Sequence, residues 1–450
     1  MPCPFSTDRP DRTDRSRRSF MKAAVAIGGT SALAACAERS GDRPVTTDEP
    51  TYPQGPSDVS TLPERQHAWT AYQPVNRQNQ VVFPQHQVFV CCRYTPASPP
   101  TDAQRARVET AFETLERAFQ RGAKTAGRAV VIDGLLFSIG YSHSYFDVFD
   151  DDLPESAGLL RPEAVLERVG EDPALADDYD AVIHLGSDVA EIVLAAEEAL
   201  FGGIDQVNGI PVTDTLEDVF EREERRTGLI GEGTPDDKLD VEGLPPKAPL
   251  PMGFKSGFED TLPSEDSVTI QEGPFAGGTT QHISLLLEDL EAWWNDQDHD
   301  DRIEKMFSPQ FSFEQVGLTG DQLGDFSELD ETVAESVPEM VAKHGRVGHS
   351  QKLLRARNED FEPIILRRGD FFETAADETV LNFGSIQRSM EDFVRTLRAM
   401  KEIGFEEDDE SLSVAADEDG LLDYIETKAR ATFLVPPREL RALPPVRPDR

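Results

Sequence analysis

"DYDAVIHLGSDVAEIVLAAEEALFG", residues 178–202, sets the rhythm of the chain. The apolar run from Ala181 to Leu185 reads as a buried strand, with His184 as its one polar interruption. It passes through Gly186 directly into a helical pattern in which Val189, Ile192, Val193, Ala196 and Leu200 share one face. A strand feeding a helix with one apolar stripe is half of a layered α+β unit.

Outward from this stretch the alternation continues. "HQVFVCCRY" (86–94) is a strand, and Thr101 to Gln104 has the form of a capping box opening a helix. Val108, Phe112, Leu115 and Phe119 then recur at helical spacing, and Gly122 marks the stop. "RAVVIDGLLFSIGYS" (128–142) reads as strand broken at Gly134. Beyond a proline-rich break, "GTPDDKLDVEGLPPKAPLP" (233–251), the rhythm repeats. "TTQHISLLL" (279–287) is a strand, followed by a helix through Leu290, Trp293 and Trp294. "EPIILRRGDFF" (362–372) and "ETVLNFGSI" (378–386) are strands. A last helix carries Ile386, Met390, Phe393, Leu397 and Met400. The pattern predicts an α+β fold of two ferredoxin-like units, 81–232 and 252–435, joined by the linker 233–251. The acidic run Glu406 to Glu410 and the tail 436–450 read as loop and surface.

The N-terminal region has a different composition. Arg17-Arg18 in "SRRSFMK" precedes a thirteen-residue apolar run, Ala23 to Ala35, too short for a span of about 20 residues. This resembles a twin-arginine export signal, and "LAAC" ending at Cys36 resembles a lipobox, so residues 1–36 predict export with lipidation at Cys36. Residues 37–80, rich in Pro, Ser, Thr, Asp and Gly, read as a flexible tether to the outer face of the membrane. Twin-arginine cargo is characteristically folded before export, often around a cofactor.

The net charge of −41 comes from 85 acidic and 44 basic residues, of which only ten are lysine. Such self-repulsion is screened within about 3 Å in 1 M salt, and the composition resembles that of proteins from salt-accumulating halophiles. No basic stripe is present to neutralise phosphates, which excludes nucleic acid as a partner. Four cysteines, two of them in the signal region, provide no disulfide framework. Cys91 and Cys92 are adjacent in a strand and point to opposite faces, so one of them is expected in the core.

Eight histidines are scattered without metal-ligand spacing. His184 and His282 lie inside strands and read as core or surface-facing residues. "RVGHSQKLLRARNEDFEPIILRRGDFF" (346–372) is more informative. His349 follows a glycine in a loop, with His344 as the reserve candidate, and Arg367-Arg368 follow in a strand. A neutral imidazole can ligate haem iron from one face, and an arginine can present positive charge on the other.

Three landmarks of the second half resemble the dye-decolorising (DyP-type) haem peroxidases. "MGFKSGFEDT" (252–261) is similar to that family's GxxDG haem-pocket loop. "GPFAGGTTQHISLLLEDLEAWW" (273–294) resembles its Gly-Gly-Thr strand and following helix, and the histidine before "ILRRG" is the third. "GLLFSIGYSHSYFDVF" (134–149) and residues 178–200 resemble its first ferredoxin-like unit. The resemblance spans about residues 85–400 through short motifs. It implies haem b held by His349 as iron ligand, with Gly253, Gly257 and Arg367 around it. Hydrogen peroxide and an organic reductant are the implied substrates, and self-association is left open. Arg367 would stabilise the charge that develops on peroxide. The chain departs from the family at Ser256, which stands where the family has its proton-transferring aspartate. A hydroxyl is a poor substitute for a group worth typically 10²–10⁴-fold, and Glu259 or Asp260 lies just downstream. Trp293 and Trp294 read as packing, with electron relay as the alternative. A haem carrier without turnover and an envelope interaction module with a degenerate pocket are the competing functions.

Overall fold

Eight antiparallel strands close into one barrel. They are β1 (His86–Tyr94), β2 (Leu136–Tyr141), β3 (Ala181–Ser187), β4 (Phe220–Leu229), β5 (Thr279–Glu288), β6 (Ile365–Ala375), β7 (Glu378–Gln387) and β8 (Ile425–Val435). In this computed structural model the described residues are 49–75, 81–123, 131–254, 262–323, 343–344, 347–375, 378–401 and 420–448. Arg17, Arg18, Cys36, Ser256, Gly257, Glu259, Asp260 and the run 406–410 lie outside them.

Around the barrel the order is β1-β3-β2-β8-β5-β7-β6-β4. Cut into halves, β4-β1-β3-β2 and β8-β5-β7-β6 both place the fourth strand beside the first and the third between first and second. That is the ferredoxin-like order, occurring twice as the sequence pattern predicts. The halves meet at two narrow seams, Leu434 against Tyr141 and Leu229 against Phe372.

Two faces of the sheet are buried for different reasons. Inside the barrel, Phe89, Cys91, Val182, Ile283, Phe371, Ala431 and Phe433 form one apolar cluster drawn from both halves. Outside the first half, helix α1 (Asp102–Ala118) and helix α2 (Ala190–Leu200) cover the sheet. Thr101 caps α1 with the capping box read from the sequence. Phe112 and Leu115 of α1 and Ile192 and Leu200 of α2 are fully buried against Val88 and Val90. Each such side chain contributes roughly 1.5–3 kcal/mol. Because both sheet faces are covered, Cys91 and Cys92 are both core residues, one inside the barrel and one under the helices. The expectation of a single core cysteine assumed a sheet wet on one side.

The chain ends correct two further expectations. Within the supposed tether, residues 49–75 pack on the body. Trp69 is 1% exposed, its indole donates to the Gln66 carbonyl, and His67 Nε2 lies 2.8 Å from Thr269 Oγ1. The tail is equally committed. Arg441 is 1% exposed and reaches Glu116 and Glu109 on α1, while Leu443 and Val446 enter the core. Ile386 belongs to strand β7 rather than to the last helix, α5 (Met390–Met400).

Candidate functional site

Among the described residues between β5 and β6, no helix is as long as α1. Those residues form helix α3 (Leu290–Asn295), two further helices at His299–Met306 and Phe313–Val316, and helix α4 (His349–Lys352). With α5 covering part of it, the outer face of this half-sheet opens into a cavity of about 1270 Å³. Leu286, Leu381, Phe383, Phe393 and Leu397 are among its apolar walls, and His349, Arg367, Asp370, Glu288 and Arg430 bring polar groups to it.

His349 enters from the α4 wall. Gly348 before it must be a glycine, because a Cβ there would fall on the Phe307 carbonyl. This close approach fixes the start of α4 against Phe307. Burial, then the charges of Lys352 and Arg367, push the His349 imidazole down to about 4, so it is neutral at pH 7. His344 is exposed and does not line the cavity.

Arg367 reaches the cavity because strand β6 is irregular. Simple alternation would put Arg367 and Asp370, three residues apart, on opposite faces. The register against β7 shifts between Arg367 and Gly369, so Arg368 is an extra residue and Arg367 and Asp370 both face outward. Arg367 Nη1 then donates to Asp370 Oδ2 at 3.0 Å. Arg368 turns elsewhere: it is 2% exposed and pairs with Glu265, near Thr70 and the His67 carbonyl. The adjacent arginines therefore do separate jobs, one in the cavity and one clasping the N-terminal segment.

Alternation along β5 places His282, Ser284, Leu286 and Glu288 outward and Ile283 inward. His282 stacks on Phe393 of α5 with ring centres 3.6 Å apart. Glu288 is 6% exposed, and its Oε2 has no hydrogen-bond partner. Burial and then the charge of Asp370 push Glu288 up to about 8, and burial raises Asp370 to about 6 against the pull of Arg367. At the other end of the cavity Arg430 grips Glu171 through two hydrogen bonds of 2.5 and 2.7 Å, and Lys401 adds a third at 2.6 Å. Sequence reasoning missed these groups. The one available signal was the period-two row that ends the apolar strand β5 on a carboxylate.

Gly253 lies beside the cavity, between Met252 and Phe254, which line it. Its φ of +94° suits glycine, and a Cβ would come 2.6 Å from Trp294 Cη2. Trp293 and Trp294 are buried, donating to the carbonyls of Met252 and Pro251 at 3.0 and 3.1 Å. They anchor this loop, which agrees with the packing role.

These features fit a haem group. Among the described residues no cluster of three or more His, Cys, Asp or Glu could hold a metal ion by itself. A macrocycle that brings its own four nitrogen donors needs only one protein ligand, and His349 is a neutral imidazole on the wall of an apolar slot. His349 would hold the iron, and Leu286, Leu381, Phe383 and Leu397 would flank the ring.

A model described as a family of unknown function, DUF7405, matches residues 84–437. No curated protein matches the chain. Solved structures similar to it include a dye-decolorizing protein from V. cholerae, 14% identical with a TM-score of 0.46, covering 83% of this chain and 98% of that one. The encapsulated DyP-type peroxidase from Mycobacterium smegmatis is 15% identical with a TM-score of 0.47, over 83% and 99%. A Rhodococcus jostii DypB variant in complex with heme is 14% identical with a TM-score of 0.49, over 84% and 99%.

Proposed function

The chain belongs to DUF7405, a family of unknown function, and from that premise we propose that it is an exported haem peroxidase tethered by lipid at Cys36. It reduces hydrogen peroxide with electrons from an organic donor, in a salt-rich medium. The observation that carries this reading is that His349 and Arg367, picked from the sequence, open into one apolar cavity from two walls.

When bound, haem would supply the redox-active iron through which two electrons pass from the donor to peroxide, giving two waters with two protons. The chain supplies the rest. The neutral His349 has a lone pair to donate, and burial, with the Lys352 and Arg367 charges adding to it, keeps it from protonating. The Arg367 guanidinium offers positive charge where negative charge develops on oxygen. The apolar walls exclude water from the ring faces. The export motifs support delivery of a chain already folded around its cofactor.

Purification from a haem-replete host in high salt tests the reading. A Soret band is expected in the wild type and not in His349→Ala. A colourless wild type that takes up no hemin overturns it. A second reading, haem binding without turnover, is favoured by Ser256 at the aspartate position and by the engagement of Arg367 with Asp370. A rapid spectral change on adding peroxide, lost in Arg367→Leu, separates the enzyme from the carrier.

A further inference from the structure

We propose that Glu265 chooses which of two adjacent arginines enters the cavity. By holding Arg368 inside the barrel it keeps the bulge in β6 and presents Arg367 outward, so it is a positioning residue for Arg367. The inference rests on the haem reading for the use made of Arg367, and on geometry alone for the choice between the two side chains.

Strand β6 has two ways to face its residues. Ile365, Arg367 and Asp370 all line the cavity, which requires the extra residue at Arg368. A straight strand would alternate without interruption. Asp370 would stay outward, Arg368 would join it, and Arg367 would turn into the barrel. The stretch after the bulge is the fixed part. Gly369 and Gly384 face each other, and a Cβ on either would come within 3.0 or 2.8 Å of Phe89 Cζ. Phe371 packs on the same Phe89 ring with centres 4.9 Å apart.

The choice therefore depends on what stabilises Arg368 inside. Its side chain is 2% exposed, and its hydrogen bonds all leave Nη2, for Glu265, Thr70 Oγ1 and the His67 carbonyl. Nε and Nη1 have no hydrogen-bond partner. Such a guanidinium is held by its counter-charge, and removing that partner leaves an uncompensated buried cation. Arg121, close by, adds repulsion and is bonded to the carbonyls of Gln66 and Ala68. Glu265 is fixed in turn, because its Oε1 accepts from the backbone N–H groups of Trp69 and Thr70. Val268, three residues on, packs on Leu366 and Ile386, so the same loop also holds the residue that a straight strand would turn outward.

Phenylglyoxal, which adds to accessible guanidinium groups, reads the choice by mass spectrometry of the full chain in high salt, before hemin is added. In the wild type Arg367, whose side chain is 34% exposed, should be labelled and Arg368 protected. In Glu265→Gln the preference should invert, with labelling gained at Arg368 and lost at Arg367. Glutamine keeps an acceptor for Trp69 and Thr70 while removing the charge, so the fold should survive. In Glu265→Gln/Arg368→Leu the leucine can stay inside, and labelling should return to Arg367. Arg441→Leu, which breaks a buried pair elsewhere, should keep the wild-type pattern. A folded Glu265→Gln that labels Arg367 alone overturns the inference, and so does one that labels both, which is loosening without a choice. Should Glu265→Gln not fold, Thr70→Val removes a hydroxyl bonded to both partners of the clasp and should move part of the labelling to Arg368. The wild-type pattern in that variant would likewise overturn the inference. A wild type that takes up no hemin sinks the haem reading and leaves the labelling result standing.

Discussion

Arg367 and Asp370 are joined by a 3.0 Å hydrogen bond across a bulge that turns both toward one cavity, while Arg368 between them points to Glu265. Two neighbouring arginines of identical chemistry thus face different environments. The Arg367–Asp370 pair lines the cavity, and the Arg368–Glu265 pair holds the segment around Trp69 and Thr70.

Substituting the two arginines should separate these roles. Arg367→Leu is expected to keep the fold and the Soret band but slow the reaction with peroxide by about 10²-fold or more. Arg368→Leu leaves Glu265 facing Trp69 without its cation, and should cost about 3–5 kcal/mol. Stopped-flow spectra and denaturant unfolding in high salt measure the two effects.

Gly348→Ala tests the placement of His349. The added methyl would collide with the Phe307 backbone, so α4 must shift and carry the imidazole with it. Hemin titration should show affinity reduced by at least about tenfold, the equivalent of about 1.4 kcal/mol. Unchanged affinity would mean that His349 does not hold the group.

Stability should fall as pH rises from about 5 to 9 through the raised carboxyls. A folded pKa above the unfolded one means that the protonated form stabilises the fold, and that contribution is lost as pH passes about 6 for Asp370 and about 8 for Glu288. Glu288→Gln removes the second titration and should gain on the order of 2 kcal/mol at pH 9. Glu171 acts in the opposite sense. Burial alone would raise it, but the hydrogen bonds and charges of Arg430 and Lys401 hold it at about 2, so its contribution is lost only as pH falls toward 2. Thermal melts of the haem-free protein across this range would show both arms.

Arg441→Leu should destabilise the protein by about 3–5 kcal/mol, because Glu116, 5% exposed, loses the buried guanidinium that bonds both its oxygens. Denaturant midpoints of the variant and of Glu116→Gln/Arg441→Leu check this, the double variant losing less than the single.

Much of the fold was legible because strands such as Ala181–Ser187 are largely apolar on both faces, as burial on both sides requires. The fourth strand of each half was not. Phe220–Leu229 contains "EREERR", which reads as exposed chain. In the structure Arg222 and Arg225 pair with the buried Glu197 of α2, and Arg226 pairs with Asp177 and Glu224. Charges matched across elements defeat a hydropathy reading, since the match exists only after folding. The packed tail escaped notice for the same reason, its Arg441 being buried only because Glu116 awaits it on α1.

By itself the sequence determined the doubled α+β rhythm and singled out His349 and the adjacent Arg367-Arg368 as candidates, because periodicity and motif spacing are local properties of a chain. The tertiary structure decided which of two adjacent arginines faces the cavity, and that Glu288 and Asp370 meet them there. A bulge reverses the facing of every residue on one side of it, and burial sets the charge of a carboxyl. Both are consequences of what neighbouring strands do, which no single strand records.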